Sequence, residues 1–204
     1  IQLRLSHPAA NMHYIEPFFR WRDLYIASED RRSPFFGREY SEFEFTHSLY
    51  NFYIHPQWDE FGSRTLYLKV ILADYEERYA VIELLGEWND AIENDIMQLK
   101  REVIDKFQGN GIFKFILIGE NVLNYHSGDR DYYEEWYEEV SDEGGWITML
   151  GVQEHIEDEM ASTGLQHYVH FGDDLTDIEW RKMEPGGIIH KINQTLHRQV
   201  KRLR

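Results

Sequence analysis

Four apolar runs end in glycine and are followed by acid: Leu84-Leu85-Gly86 by Glu87, Leu117-Ile118-Gly119 by Glu120, Met149-Leu150-Gly151 by Glu154, and His170-Phe171-Gly172 by Asp173-Asp174. In an open α/β sheet such a glycine marks where a strand stops, and ligands bind along that carboxyl edge. If the strands are parallel, Glu87, Glu120 and Asp173 converge there. The polar stretch after Glu120 adds His126 and Asp129, with Asn121, Asn124 and Ser127 beside them. Carboxylate oxygens and one imidazole suit Mg²⁺, Mn²⁺ or Ca²⁺, and carboxylates held close together share a proton or activate water. A local explanation competes: an acid just before a helix caps free N–H groups and complements the dipole.

Other constellations are weaker. His155 and Glu159 stand four apart and share a helix face, a spacing that an acidic helix offers cheaply. His167 and His170 are three apart, so in a strand they face opposite sides. The chain has no Gly-x-Ser-x-Gly, no Walker lysine loop and no Gly-x-Gly-x-x-Gly, and Gly109-Asn110-Gly111 precedes a strand rather than a helix. Cysteine is absent, which excludes disulfides, thiolate zinc sites and cysteine nucleophiles. No cofactor is predicted beyond the divalent cation that the strand-end acids would suit.

Charge is unevenly placed: of the net −16, residues 1–38 carry +2, 39–180 carry −24 and 181–204 carry +6. Such a body repels phosphate backbones, which argues against nucleic acid as a partner. The 204 residues suit one domain with an appendage, and the longest apolar runs are strand-sized, far short of a membrane span. Residues 1–11 contain no apolar core of a signal peptide, and a cytoplasmic location is expected.

The elements that must position these residues follow from periodicity. Residues 14–61 hold about half of the aromatics, and alternation in Glu42–Thr46 and Tyr50–Ile54 predicts a β-rich layer feeding the main sheet. Leu66–Ala73 and Tyr79–Leu85 predict a hairpin with a three-residue loop. That register sets Asp74 opposite Arg78 and pairs Lys69 with Glu83. Ile92, Ile96, Leu99, Val103 and Phe107 form a helical stripe capped by Asn89 or Asp90 and stopped at Gly109, before a strand over Phe113–Ile118. A second helix from Asp131 buries Tyr133, Trp136, Tyr137 and Val140. Trp146–Leu150 is a strand, Gln153–Ser162 a helix, and Gln166–Phe171 a fourth strand. After Pro185-Gly186-Gly187 comes a last helix with an apolar stripe and a basic side.

After the aromatic β-rich preface the element order is ββαβαβαβα, and at that level residues 64–172 resemble a STAS-type domain or a flavodoxin-like half sheet. The fold expected is mixed α/β: a largely parallel sheet with helices on both faces, an antiparallel hairpin and aromatic-rich N-terminal third, and a C-terminal amphipathic helix. Residues 1–185 form one domain, with 1–61 its β-rich extension, and 186–204 form the basic helix. The leading functional expectation is an interaction or regulatory module. It would meet a protein partner, or a second copy, through Ile192, Leu196, Arg198, Val200 and Lys201. The alternative is a divalent-cation-dependent, hydrolase-like enzyme using the strand-end carboxylates.

Overall fold

The structure, a computed structural model, describes residues 15–41, 45, 47–49 and 52–202, with Phe52 and residues 199–202 described by their backbone alone. A two-strand ladder, β1 (Ser48–Leu49) and β2 (Phe52–Tyr53), stands apart from a four-stranded sheet in the order β3 (Leu66–Asp74), β4 (Tyr79–Asn89), β5 (Lys114–His126), β6 (Trp146–Leu150). The β3–β4 pair is antiparallel; β4–β5 and β5–β6 are parallel. The two parallel joins are crossovers. The first runs through α1 (Asp95–Leu99), a π-helical turn (Lys100–Ile104) and α2 (Asp105–Gln108), and the second through α3 (Asp131–Asp142). After β6 come α4 (Glu154–Ser162), three short 3₁₀ turns and α5 (Pro185–Arg202). The chain is thus a mixed α/β fold. Among the described residues no helix is long and apolar enough to cross a membrane.

Apolar periodicity divides the helices between the two faces of the sheet. Ile96, Leu99, Phe107, Trp136, Ile156 and Met160 close one core cluster, while Ile188, Ile189 and Ile192 of α5 close the other with Trp21 and Trp180. Aromatic residues of the N-terminal third act mainly as packing, with Trp21, Phe35, Trp58 and Phe61 buried.

Several expectations need correction. The N-terminal third is mostly turns over residues 20–37. The strand expected over Glu42–Thr46 falls largely on residues outside those described, as do Tyr50 and Asn51. In the hairpin Lys69 does face Glu83, but a bulge between Val70 and Leu72 shifts the upper half, so Asp74 faces Tyr79. The loop therefore has four residues. Asp74 Oδ1 accepts from the N–H groups of Glu76 and Glu77, and Arg78 adopts φ 61. The expected Lys69–Glu83 ion pair is replaced: Lys69 pairs with Asp59 at 3.2 Å and Glu83 with Arg181 at 2.8 Å.

Glycine marks strand ends less often than the sequence implies. β4 runs three residues beyond Gly86 and β5 seven beyond Gly119. Gly86 (φ +121) lies where Thr65 crosses so closely that an added Cβ would stand 2.1 Å from its carbonyl oxygen. At Gly119 a Cβ would meet Met149 Cε at 2.8 Å. Both glycines answer a close approach of chain segments, and only Gly151 follows a strand end. No fourth parallel strand forms: His170 contributes a single bridge to Thr148, and residues 165–167 are a 3₁₀ turn.

The long extension of β4 delays the first crossover helix to Asp95, so Ile92 is 81% exposed instead of buried. Its remaining stripe holds, and the π turn carries Lys100, Val103 and Ile104 all inward. Tyr137 likewise lies outside the α3 stripe and contacts Tyr168 edge-on at 6.0 Å. Helix α5 starts at Pro185 itself, where proline's fixed φ suits a first helical position and its missing N–H leaves no bond unmade.

Candidate functional site

The carboxyl rim is not one site. Glu87 accepts from Asn124 Nδ2 at 2.8 Å. Glu120, four residues earlier on the same β5 strand as Asn124, turns to different partners: Trp180 Nε1 at 2.6 Å and Arg181 Nε at 2.8 Å. His126 and Asp129 are exposed, and the His126 carbonyl accepts from the Asp90 and Ala91 N–H groups. Asp173 (φ 48) opens a 3₁₀ turn and contributes, with Asp158, to raising the pKa of Glu157 after burial has done so. Because β4 and β5 continue past their glycines, the acids are spread along the sheet. Glu87, Glu120, His126, Asp129 and Asp173 do not gather into one ligand set.

Three other clusters of ionisable groups organise the molecule instead. The first is a clamp on the α5 side of the sheet. Glu83, fully buried on β4, accepts from the Phe18 N–H at 2.7 Å and from Arg181 Nη2 at 2.8 Å. Arg181 also bonds Glu120, and its carbonyl accepts from Arg20 Nη1 at 2.9 Å. Around these charges Phe18, Trp21 and Trp180 pack edge-to-face at 4.8–6.0 Å, with the Arg181 guanidinium over Trp180. Burial pushes the Glu83 pKa up; the Phe18 N–H and Arg181 pull it back only partly. The clamp fastens an N-terminal turn and a C-terminal turn onto β4 and β5.

The second cluster lies under the carboxyl rim. Buried Asp90 accepts from Tyr133 Oη (2.7 Å), Ile96 N–H (2.8 Å) and Trp88 Nε1 (2.9 Å). Asp95, also buried, accepts from the Asn89 N–H at 2.7 Å. The sequence role of Asp90 as a cap survives in altered form, since it reaches the second residue of α1 from outside the helix. Desolvation raises its pKa to about 6 despite three donors, and burial followed by the Asp90 charge sends Tyr133 well above the phenol range. This is a buried polar network whose burial favours the neutral acids: Asp90 has a donor on each oxygen, whereas Asp95 Oδ1 is buried without a hydrogen-bond partner.

The third is a set of three carboxylates, Asp105, Glu135 and Glu139, whose ligand atoms lie within 4.8 Å of one another. Among the described residues it is the one such group, and its middle is held by a cation of the chain itself. Lys100 Nζ, fully buried, bonds Asp105 and reaches Glu139 at 2.8 Å and Glu135 at 3.4 Å. Burial lowers the Lys100 pKa, but Asp105 and Glu139 outweigh it and the net shift is upward. Arg101 grips Glu135 through two bonds of 2.5 and 2.7 Å. Lys100 stands four residues after Ile96, on the apolar stripe, which was the available sequence signal for a buried cation. Lys100→Met is expected to lower stability by roughly 1–3 kcal/mol, less than for fully enclosed pairs because the acids are partly exposed. Millimolar Mn²⁺ should then raise the melting temperature of the variant more than that of the native protein. An equal response of both would show that the ammonium does not hold the ion's place.

The expected contact residues of α5 divide. Ile192 is fully buried in the chain's own core, and Leu196 packs against the same cluster, so neither offers a free surface. Arg198 is exposed and stands 3.9 Å from Asp174. The Val200 and Lys201 side chains lie outside those described. His155 sits on the exposed side of α4 and contacts the Leu123 carbonyl at 3.2 Å.

No family model matches the chain, and no curated protein does. Among solved structures it is similar to a candidate anti-sigma factor antagonist from Thermotoga maritima, with 23% identity, TM-score 0.39, and 53% of this chain and 86% of that one covered. It is also similar to the anti-sigma factor antagonist SpoIIAA in its unphosphorylated form, with 13% identity, TM-score 0.42, and coverage of 52% and 89%. The phosphorylated form of Bacillus SpoIIAA gives 13% identity, TM-score 0.38, and coverage of 52% and 92%. The mixed α/β assignment rests on the strand pairing of this chain, and no function is taken from these likenesses.

Proposed function

We propose that the chain is a protein-interaction module of regulatory type, working in the cytoplasm. One observation carries the reading: the turn that the clamp fastens to the sheet presents Phe19 (57% exposed), Leu24 (61%) and Ile26 (40%) to solvent within eight residues, interleaved with Arg20 and Arg22. An exposed aromatic ring with arginines beside it suits an interface, where arginine is enriched among the residues that carry binding energy, and a held backbone leaves little ordering entropy to be lost on binding. The acidic surface of residues 39–180 then selects against anionic surfaces and favours a partner with basic flanks. Arg198, with Val200 and Lys201 beyond it, is proposed as a secondary basic contact at the far end of α5. The cation-dependent enzyme reading has less support, since the Glu120 oxygens a metal would need already accept from Trp180 and Arg181.

The test places a photo-crosslinking amino acid at position 19 or 24, and at position 138 on exposed α3 as a control, in the full chain inside its native cells. A discrete adduct from 19 and 24, absent at 138, is expected, and twice the chain mass would identify a second copy as the partner. No discrete adduct at either position, or the same adducts from all three, overturns the reading.

A further inference from the structure

Between the clamped N-terminal turn and the edge strand β3 lies a cavity of about 220 Å³. Phe18, Ile26 and Ile71 supply apolar wall, and Arg22, Tyr40 and Lys69 supply the polar groups. In a protein with 37 acidic and 21 basic residues, this cavity is locally cationic. Asp59, fully buried, already receives Arg38 Nη1 at 2.9 Å, Tyr40 Oη at 2.7 Å and Lys69 Nζ at 3.2 Å. Two cations thus share one carboxylate, and the Lys69 ammonium also sits 3.6 Å from the centre of the Tyr40 ring. Arg22 adds a third positive charge. Among the described residues it has no acid partner, and it lies over the face of Phe19 at 5.9 Å.

We propose that this cavity binds a small organic acid, its carboxylate between Arg22 and Lys69 and its apolar body against Phe18, Ile26 and Ile71. A mostly apolar cavity with a few convergent polar groups is the form of a small-ligand site, and at about 220 Å³ this one is below the usual size, which restricts the ligand to a fragment. The surplus charge specifies an anion, and the apolar walls specify that the rest of the ligand is uncharged. Burial first, then Arg22 and Arg38, depress the Lys69 pKa against the pull of Asp59, so an added carboxylate would relieve an existing repulsion. Arg22 gives the geometry its selectivity, because a planar guanidinium grips a carboxylate with two bonds. Arg22 and Ile26 also belong to the turn proposed to meet a partner, so benzoate titration of the isolated chain and crosslinking from positions 19 and 24 read the two proposals separately.

Benzoate is the probe, titrated calorimetrically into the full chain up to roughly 10 mM, the range in which the few kcal/mol of a fragment are read. Benzyl alcohol serves as the uncharged isostere and inorganic phosphate as the anion without an apolar body. One-to-one binding of benzoate is expected, with benzyl alcohol and phosphate each about tenfold weaker or worse. Arg22→Gln should weaken benzoate by about tenfold and Arg22→Lys by a few-fold, since lysine keeps the charge and loses the second bond, with both variants melting as the native chain does. Arg22 is preferred to Lys69 for substitution because removing Lys69 disturbs buried Asp59 and with it the fold. No benzoate heat, equal binding of benzyl alcohol or phosphate, or an unaltered affinity in Arg22→Gln overturns the proposal. So does binding of N-acetyl-glycyl-phenylalanine in preference to benzoate, which would make the ligand a peptide terminus.

Discussion

Replacing Arg181 with alanine is expected to destabilise the protein by roughly 1–3 kcal/mol at neutral pH, below the range for broken fully buried pairs because the Arg181 side chain is 42% exposed. Glu83 would remain fully buried with the Phe18 N–H as its donor, and Glu120 would keep only Trp180. The loss should be smaller at pH 5 than at pH 7. A buried acid without its cation titrates higher still, and once protonated it no longer carries an uncompensated charge. Glu83→Gln combined with Arg181→Met should recover a good part of the loss, since a neutral amide and an apolar chain need no ion partner. Urea unfolding of the three proteins at both pH values measures this. Hydrogen exchange at the Phe18 amide reports whether the N-terminal turn loosens. An Arg181→Ala protein within 0.5 kcal/mol of native, with Phe18 equally protected, would show that the clamp is decorative.

Asp90 should make the fold prefer acid. Its folded pKa of about 6 lies above the unfolded value near 3.9, so the folded state holds the proton more tightly. The contribution is therefore complete only below the unfolded pKa, near pH 3, and is lost as pH rises through 6, by about 3 kcal/mol in all. The groups facing Asp90 are Trp88 of β4, Asp95 and Ile96 of α1, Tyr125 of β5 and Tyr133 of α3. The two phenols stay neutral throughout this range, and Asp95, also raised by burial, adds to the same slope. Asp90→Asn removes the titration while keeping an acceptor for Trp88 and Ile96. Subtracting the stability of the variant from that of the native protein cancels the other groups. That difference should move about 2 kcal/mol in favour of the variant between pH 4 and pH 7, most of the full swing. A difference that stays flat across the range would remove Asp90 from the pH response.

Both predictions concern residues whose roles were hard to see in advance. Asp90 was legible as a helix cap, and it does bind a helix amide; its depth was not, because burial depends on α3 and β5 closing over it. Glu83 was legible as one half of a register with Lys69, and the register is correct. Its ion partner is Arg181, 98 residues away. Local spacing carries no information about which distant cation reaches a buried acid.

Periodicity within a dozen or so residues was enough to define the hairpin and its register as far as the Lys69–Glu83 pair, the two parallel crossovers, the bounds of β6, helix α3 from its acidic start to its paired glycines, and α4; the bulge between Val70 and Leu72 was not legible. In each of these, short-range sterics and the need to bury one face agree. The lengths of β4 and β5, and with them the dispersal of Glu87, Glu120 and Asp173, were set by how closely Thr65 and Met149 pass Gly86 and Gly119. A glycine that ends a strand and a glycine that lets another segment approach are the same residue type in the same apolar context. Only the packed neighbours tell them apart, and it is this packing that gave the strand-end acids separate partners, Glu120 in the clamp and Glu87 on Asn124, instead of one rim of ligands.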